Sequence, residues 1–259
     1  MLVATLATAP MWLVIYRDLG GRVRTHDAFR IFLVTNIGKY LPGKMMHAAG
    51  RVALLQGQGQ PASIGITSVV VELALILLGA ALVSLLSIPT LLSQQHLTEY
   101  VAVVTWLSLL LLPAGLVGLH PRILGPVLRF GFRWLPGTPP DAGQKLPPYR
   151  TILLLVLGYV GYWLAASAGL FAASRSVYAL GWEWLPAMSG VVAVSYLFGL
   201  AVPIAPAGIG AREGLMTLLL STMMPTPIAA AVSVLYRIVS ILAELLAAGL
   251  ALLLARARH

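Results

Sequence analysis

From Ile64 to Ile88 the sequence is apolar or small throughout, with Glu72 as its single charged residue. Tyr100–Leu119, Thr151–Ala173, Leu185–Val202 and Ile228–Leu254 are runs of the same kind, and Leu2–Tyr16 is a shorter one. About 20 such residues cross the hydrocarbon of a bilayer as a helix. In lipid every backbone N–H and C=O must be bonded internally, so helix is the form such runs must take. Charged residues make up 10% of the chain, against about 25% in a soluble domain. The expected fold is therefore all-α, a polytopic transmembrane helical bundle of about six spans. It occupies 1–259 as a single transmembrane domain: a first half 1–119, a cytoplasmic basic linker 120–150 and a second half 151–259. Small residues within Thr151–Ala173 allow close helix approach. The Leu2–Tyr16 run is short for a crossing, so the expectation is that the sequence starts inside or just after a first helix. No cationic stretch precedes it, which argues against a cleaved signal peptide.

The net charge of +9 is distributed unevenly. Arg17, Arg22, Arg24 and Arg30 follow the first run; Arg122, Arg129, Arg133, Lys145 and Arg150 lie in the linker; Arg256 and Arg258 end the chain. Pro89–Glu99 has no Lys or Arg. The positive-inside rule places the first three groups in the cytoplasm and the segment near Gln94 outside, with Trp182 and Trp184 as an outer interfacial anchor. Anionic lipid accounts for the basic excess, and no basic soluble module is present to bind nucleic acid. Two stretches are not clean spans, Phe29–Gln56 and Pro203–Pro225. Orientation requires an even number of crossings between the Thr151 and Ile228 runs. Leu185–Val202 and Arg212–Met224 are therefore expected to form a hairpin dipping in from outside, and Phe29–Gln56 one dipping from the cytoplasm. These are two re-entrant or broken helical hairpins, shielded by protein or lining a wet cavity.

The two stretches echo each other. Asn36-Ile-Gly-Lys-Tyr-Leu-Pro-Gly-Lys44 precedes a long span containing Glu72, and Pro203-Ile-Ala-Pro-Ala-Gly-Ile-Gly-Ala-Arg-Glu-Gly214 precedes one containing Arg237 and Glu244. Interrupted apolar segments in matching positions point to a transporter site built from an inverted repeat. In the second stretch, prolines stop a helix and glycines open the backbone. The helix that resumes turns free N–H groups toward the break, and Arg212 adds a fork suited to phosphate. The bland alternative is a tight loop whose arginine snorkels to the interface. In the first stretch Lys44, His47 and Arg51 recur at i, i+3 and i+7 and share one helical face with Lys39, Tyr40, Pro42 and Gly43 nearby. Such a cationic stripe lines a path for phosphate, or alternatively belongs to an interfacial helix on anionic lipid. Glu72, Arg237 and Glu244 are intramembrane charges and need partners. Arg237 and Glu244, two turns apart, are not expected to pair; Glu72 or Glu213 with Arg237 or Arg212 are credible cross-pairs, and a purely structural ion pair explains them equally well.

Catalytic patterns are weak. The absence of cysteine excludes disulfides and thiolate chemistry. His26, His47, His96 and His120 lack metal-ligand spacing. Gly208-Ile-Gly210 has no surrounding strand, and no serine sits in a nucleophile elbow. The expectation is no enzyme, no metal and no cofactor.

Asn36…Lys39-Tyr40-Leu41-Pro42-Gly43-Lys44…Arg51 and Pro206-x-Gly208-Ile-Gly210-x-x-Glu213 resemble the lysylphosphatidylglycerol synthase transmembrane family. The similarity spans nearly the whole chain. It implies a flippase-type domain with re-entrant segments that often dimerises. The implied job is moving a phospholipid or lipid-linked anionic headgroup across the bacterial inner membrane. The positions carried over are Lys39, Tyr40, Pro42, Gly43, Lys44, Arg51, Pro206, Gly208, Gly210, Arg212 and Glu213. The aminoacyl-transferase domain of some relatives is not in this sequence, so synthesis of a lysyl-lipid is not expected of it. Alternatives are a membrane-embedded enzyme acting on a lipid-linked substrate and a non-transporting partner in a lipid-synthesis complex. No nucleotide site is visible, so an ion gradient, the membrane potential or mass action would supply any energy.

Overall fold

A computed structural model describes residues 1–41, 45–89, 98–133, 145–202 and 208–256. Among them are ten α-helices and no strand. They are α1 (Leu2–Asp18), α2 (Thr25–Asn36), α3 (Met46–Gln56), α4 (Ala62–Leu85), α5 (Thr98–Gly118) and α6 (Pro121–Phe132), followed by α7 (Tyr149–Val177), α8 (Leu185–Ala201), α9 (Ala211–Leu220) and α10 (Thr226–Arg256). Short 3₁₀ turns lie at Ile37–Tyr40 and Trp182–Trp184.

Ala62–Leu85, Tyr149–Val177, Trp182–Ala201 and Thr226–Leu254 are long and apolar enough to cross a bilayer. Ser108–Gly118 and Pro121–Phe132, bent by 86° from one another, make a fifth if counted as one broken span. By length and composition, four to five crossings are present among the described residues, where about six were expected. The N-terminal run forms a helix of only 17 residues, which turns Trp12, Ile15 and Tyr16 into the interior. The Tyr100–Leu119 run falls in α5, whose end counts only with the bent pair. Trp182–Ala201 has the length of a full crossing where one arm of a dipping hairpin was expected.

Within the 120–150 segment, residues 121–132 are helical. His120 caps α6 by accepting from the Arg122 N–H at 3.3 Å, and Pro121 occupies the first turn, where its missing donor costs nothing. Leu124 and Phe132 are buried, while Ile123, Val127 and Phe130 face outward beside Arg122 and Arg129. That two-faced pattern suits a helix at a membrane surface.

Two apolar clusters fill the interior. One gathers Trp12, Phe32, Leu75 and Tyr159 from α1, α2, α4 and α7. The other gathers Trp163, Val192, Leu220 and Tyr236 from α7, α8, α9 and α10. Helix α4 belongs to both and packs tightly against α7. A Cβ added at Gly79 would lie 3.0 Å from Trp163 Cδ1 and 3.0 Å from Tyr159 Cβ. Gly79→Val is therefore expected to push α4 off α7 and destabilise by about 1–3 kcal/mol. A thermal melt in detergent checks this, and an unchanged midpoint would refute the close approach.

Outward lie Leu153, Leu154 and Leu157 of α7 and Leu242, Leu245, Leu246 and Leu253 of α10, all exposed. A soluble monomer does not carry apolar surface on this scale. In lipid it is the ordinary exterior, and the molecule is a multi-pass membrane protein.

Candidate functional site

Breaks in the helices bring charge to the centre of the bundle. The chain leaves α2 through the 3₁₀ turn and returns as α3, which packs on α2 and α4. Arg51 of α3 is fully buried. Its guanidinium forms a short ion pair with Glu72 of α4 and donates to Asn36 Oδ1 at 3.0 Å. It lies 4.4 Å from the Phe32 ring centre and 5.1 Å from that of Trp12. The Trp12 indole N–H donates in turn to Ser68 Oγ at 3.2 Å, which fixes the ring. Burial of a charge requires such complete partnering. Of the expected stripe, then, Arg51 points into the interior toward Glu72, His47 is half-buried, and Lys44 lies outside the described residues along with Pro42, Gly43 and Pro206.

The 3₁₀ turn makes the second centre. Lys39 Nζ is 2.6 Å from Glu244 Oε1, and the Tyr40 hydroxyl donates to Glu244 Oε2 at 2.8 Å. Glu244 belongs to α10, so this contact ties the first motif to the last helix. The Tyr40 ring sits 5.3 Å from the Arg237 guanidinium and 5.4 Å from the Lys39 ammonium.

The second motif supplies the third centre. Gly208 (φ +71°) and Gly210 (φ +86°) take left-handed backbone that other residues adopt at a cost. Glu213, in the first turn of α9, accepts from the Gly210 N–H at 2.6 Å and so closes the helix start. Its other oxygen lies 3.0 Å from Arg237 Nε of α10. Arg212 stands beside it, 5.3 Å from the Tyr196 ring of α8. No carboxylate among the described residues lies within ion-pair distance of Arg212.

The two halves share a plan. In each, a break leads to a short helix, then to a long one, and an ion pair joins the two, buried in the first half and partly buried in the second. The signs are exchanged: the cation Arg51 is on the short helix of the first half, and the cation Arg237 is on the long helix of the second. The Tyr40 ring, 5.3 Å from the Arg237 guanidinium, joins the second centre to the third, and the Arg212 charge acts on Tyr40, Tyr162, Tyr196 and Tyr236. These tyrosines were missed from sequence except Tyr40. Tyr159 and Tyr162, a turn apart in an otherwise apolar span, were the available signal.

The chain matches the family model described as the lysylphosphatidylglycerol synthase TM region over residues 1–248. No curated protein and no solved structure matches it.

Proposed function

We infer function from one premise: the chain belongs to the lysylphosphatidylglycerol synthase transmembrane family. It is proposed to carry an anionic phospholipid or lipid-linked headgroup between the leaflets of the bacterial inner membrane, with its C-terminus in the cytoplasm. The observation behind this is a charge imbalance among the ionisable groups gathered between the helices. Lys39, Arg51, Arg212 and Arg237 face only Glu72, Glu213 and Glu244, and the cation left without a carboxylate among the described residues is Arg212. An unbalanced intramembrane cation is costly, and an anionic ligand is the natural counter-charge.

Arginine offers a planar fork that matches two phosphate oxygens. It sits at the start of α9, where helix N–H groups favour negative charge. The headgroup would move past Arg212 with its acyl chains left in the bilayer, while Lys39 and Tyr40 approach it from the first motif. Arg51, enclosed by Glu72, Trp12 and Phe32, would hold the shape of that motif without touching lipid.

The test is leaflet exchange of fluorescent phosphatidylglycerol in liposomes, read by dithionite quenching. Wild-type protein is expected to exceed the empty-vesicle rate. Arg212→Ala, verified as folded, is expected to be slower by about tenfold to a hundredfold, because a hydrogen bond to a charged group contributes about 1.5–3 kcal/mol. Arg212→Lys keeps the charge without the fork and should fall between. Wild-type protein no faster than empty vesicles would reject transport.

A further inference from the structure

Several cations of this chain are satisfied by the protein itself. Lys39 has Glu244, Arg51 has Glu72, Arg237 has Glu213 and Arg30 has Asp27. Arg17 donates to the carbonyls of Gly21 at 3.1 Å and Val23 at 2.7 Å. Arg122, Arg129, Arg133, Lys145 and Arg150 differ. All five are exposed, and none forms an ion pair among the described residues. Between His120 and Arg150 the sequence holds a single acid, Asp141.

Helix α6 and its C-cap set Arg122, Arg129 and Arg133 on one face, at i, i+7 and i+11. Ile123, Val127 and Phe130, at i, i+4 and i+7, form an exposed apolar face beside it. Leu124 and Phe132 are buried on the remaining side, and Leu124 joins the first apolar cluster with Leu128 packed against it. Depth follows from the neighbours. The helix turns 86° from Ser108–Gly118. Its 12 residues make about 18 Å of helix, short of the about 30 Å of hydrocarbon in a bilayer. The His120 ring centre, at its start, is 5.0 Å from that of Tyr149, whose hydroxyl donates to the Leu116 carbonyl at 3.3 Å. Tyr149 opens α7, a helix long and apolar enough to cross. Helix α6 therefore lies along the interface at that end of α7. Pro126 agrees with this. It has no N–H for the Arg122 carbonyl, which headgroups and water satisfy at the interface and hydrocarbon does not.

We propose that α6, with Lys145 and Arg150, is a docking strip for anionic phospholipid, separate from the Arg212 site. Ile123, Val127 and Phe130 enter the acyl boundary, and the arginines reach the phosphates of the lipids alongside. Each cation near an anionic surface raises its attraction by about fivefold. Phosphatidylglycerol is thereby enriched beside the start of α7, and phosphatidylcholine, which carries its own ammonium, is not.

The chain has no cysteine, so Val127→Cys labelled with bimane reports on α6 alone. Leu154→Cys, on the exposed face of α7, is the reference. Each protein is placed in phosphatidylcholine vesicles containing the same fraction of either brominated phosphatidylglycerol or brominated phosphatidylcholine, and bromine quenches the label on contact. At position 127 phosphatidylglycerol should associate about fivefold better or more, the share of one cation. At position 154 the two lipids should quench alike. The preference at 127 should vanish at about 1 M salt, where screening acts within about 3 Å. It should also vanish in Arg122→Gln/Arg129→Gln/Arg133→Gln, and if that variant does not fold, the salt dependence decides. Equal quenching by the two lipids at 127 overturns the proposal. So does quenching by aqueous iodide without quenching by bromine, which puts α6 in water. A label shielded from both overturns it too, and crosslinking between Val127→Cys copies then assigns the face to a second copy. None of these readings requires lipid to change leaflets, so the strip and the transport reading stand or fall separately.

Discussion

Glu72→Gln is expected to cost about 3–5 kcal/mol, the range for breaking a buried ion pair from one side. The magnitude follows from what remains. Arg51 is fully enclosed, with Trp12 and Phe32 against its face and neutral oxygens, Asn36 Oδ1 at 3.0 Å and Thr35 Oγ1 at 3.5 Å, as its remaining hydrogen-bond partners. Its charge would then sit at the centre of the bundle uncompensated. For a chain of this size the melting midpoint should fall by about 6–20 °C. Removing both charges together, as Arg51→Met with Glu72→Leu, should recover most of the loss, because apolar groups of similar volume replace a buried pair at little cost. A single variant that melts within about 1 kcal/mol of wild type would mean that water reaches Arg51.

Gly208→Ala carries the next largest expectation, about 2–5 kcal/mol. Two penalties add here. The left-handed backbone costs a non-glycine residue about 1–2 kcal/mol. The new methyl would also lie 2.8 Å from Gly199 Cα and 3.1 Å from its carbonyl atoms. Those are backbone atoms of α8 and cannot rotate aside, so α8 and the start of α9 must part, at about 1–3 kcal/mol for overpacking. Arg212 moves with them, since a Cβ at Gly199 would already be 3.0 Å from Arg212 Cβ. Gly210→Ala is the control: its φ is +86°, but open space surrounds it. It should lose only the conformational part. Equal losses at the two glycines, measured by thermal melts, would show that the contact with Gly199 contributes nothing.

Why some of this was readable from sequence and some not is a matter of range. A span announces itself within 20 consecutive residues, so α4, α7, α8 and α10 were plain. Glu72, Arg237 and Glu244 stood out because charge inside such runs is rare. Their partners were harder. Glu213 with Arg237 was one of the cross-pairs the sequence allowed, but nothing local said that Lys39 meets Glu244. Helical spacing put Lys44, His47 and Arg51 on one face without saying which neighbour that face meets, and Arg51 turned inward. Helix α6 within the linker went unnamed because its arginines were counted for orientation while the apolar spacing of Leu124, Leu128 and Phe132 was not. The tyrosines were overlooked because a phenol in an apolar helix looks like core until its hydroxyl is followed.

The Lys39–Glu244 contact joins residues 205 positions apart. At synthesis rates of about 5–20 residues per second, about 10–40 s separate the two side chains' emergence. Throughout that interval the 3₁₀ turn waits without the carboxylate that pairs its lysine, packed against α2 and α3. Biogenesis of the first motif therefore finishes only when the last helix inserts, and a ribosome stalled before Glu244 would leave a half-built protein for membrane quality control to recognise.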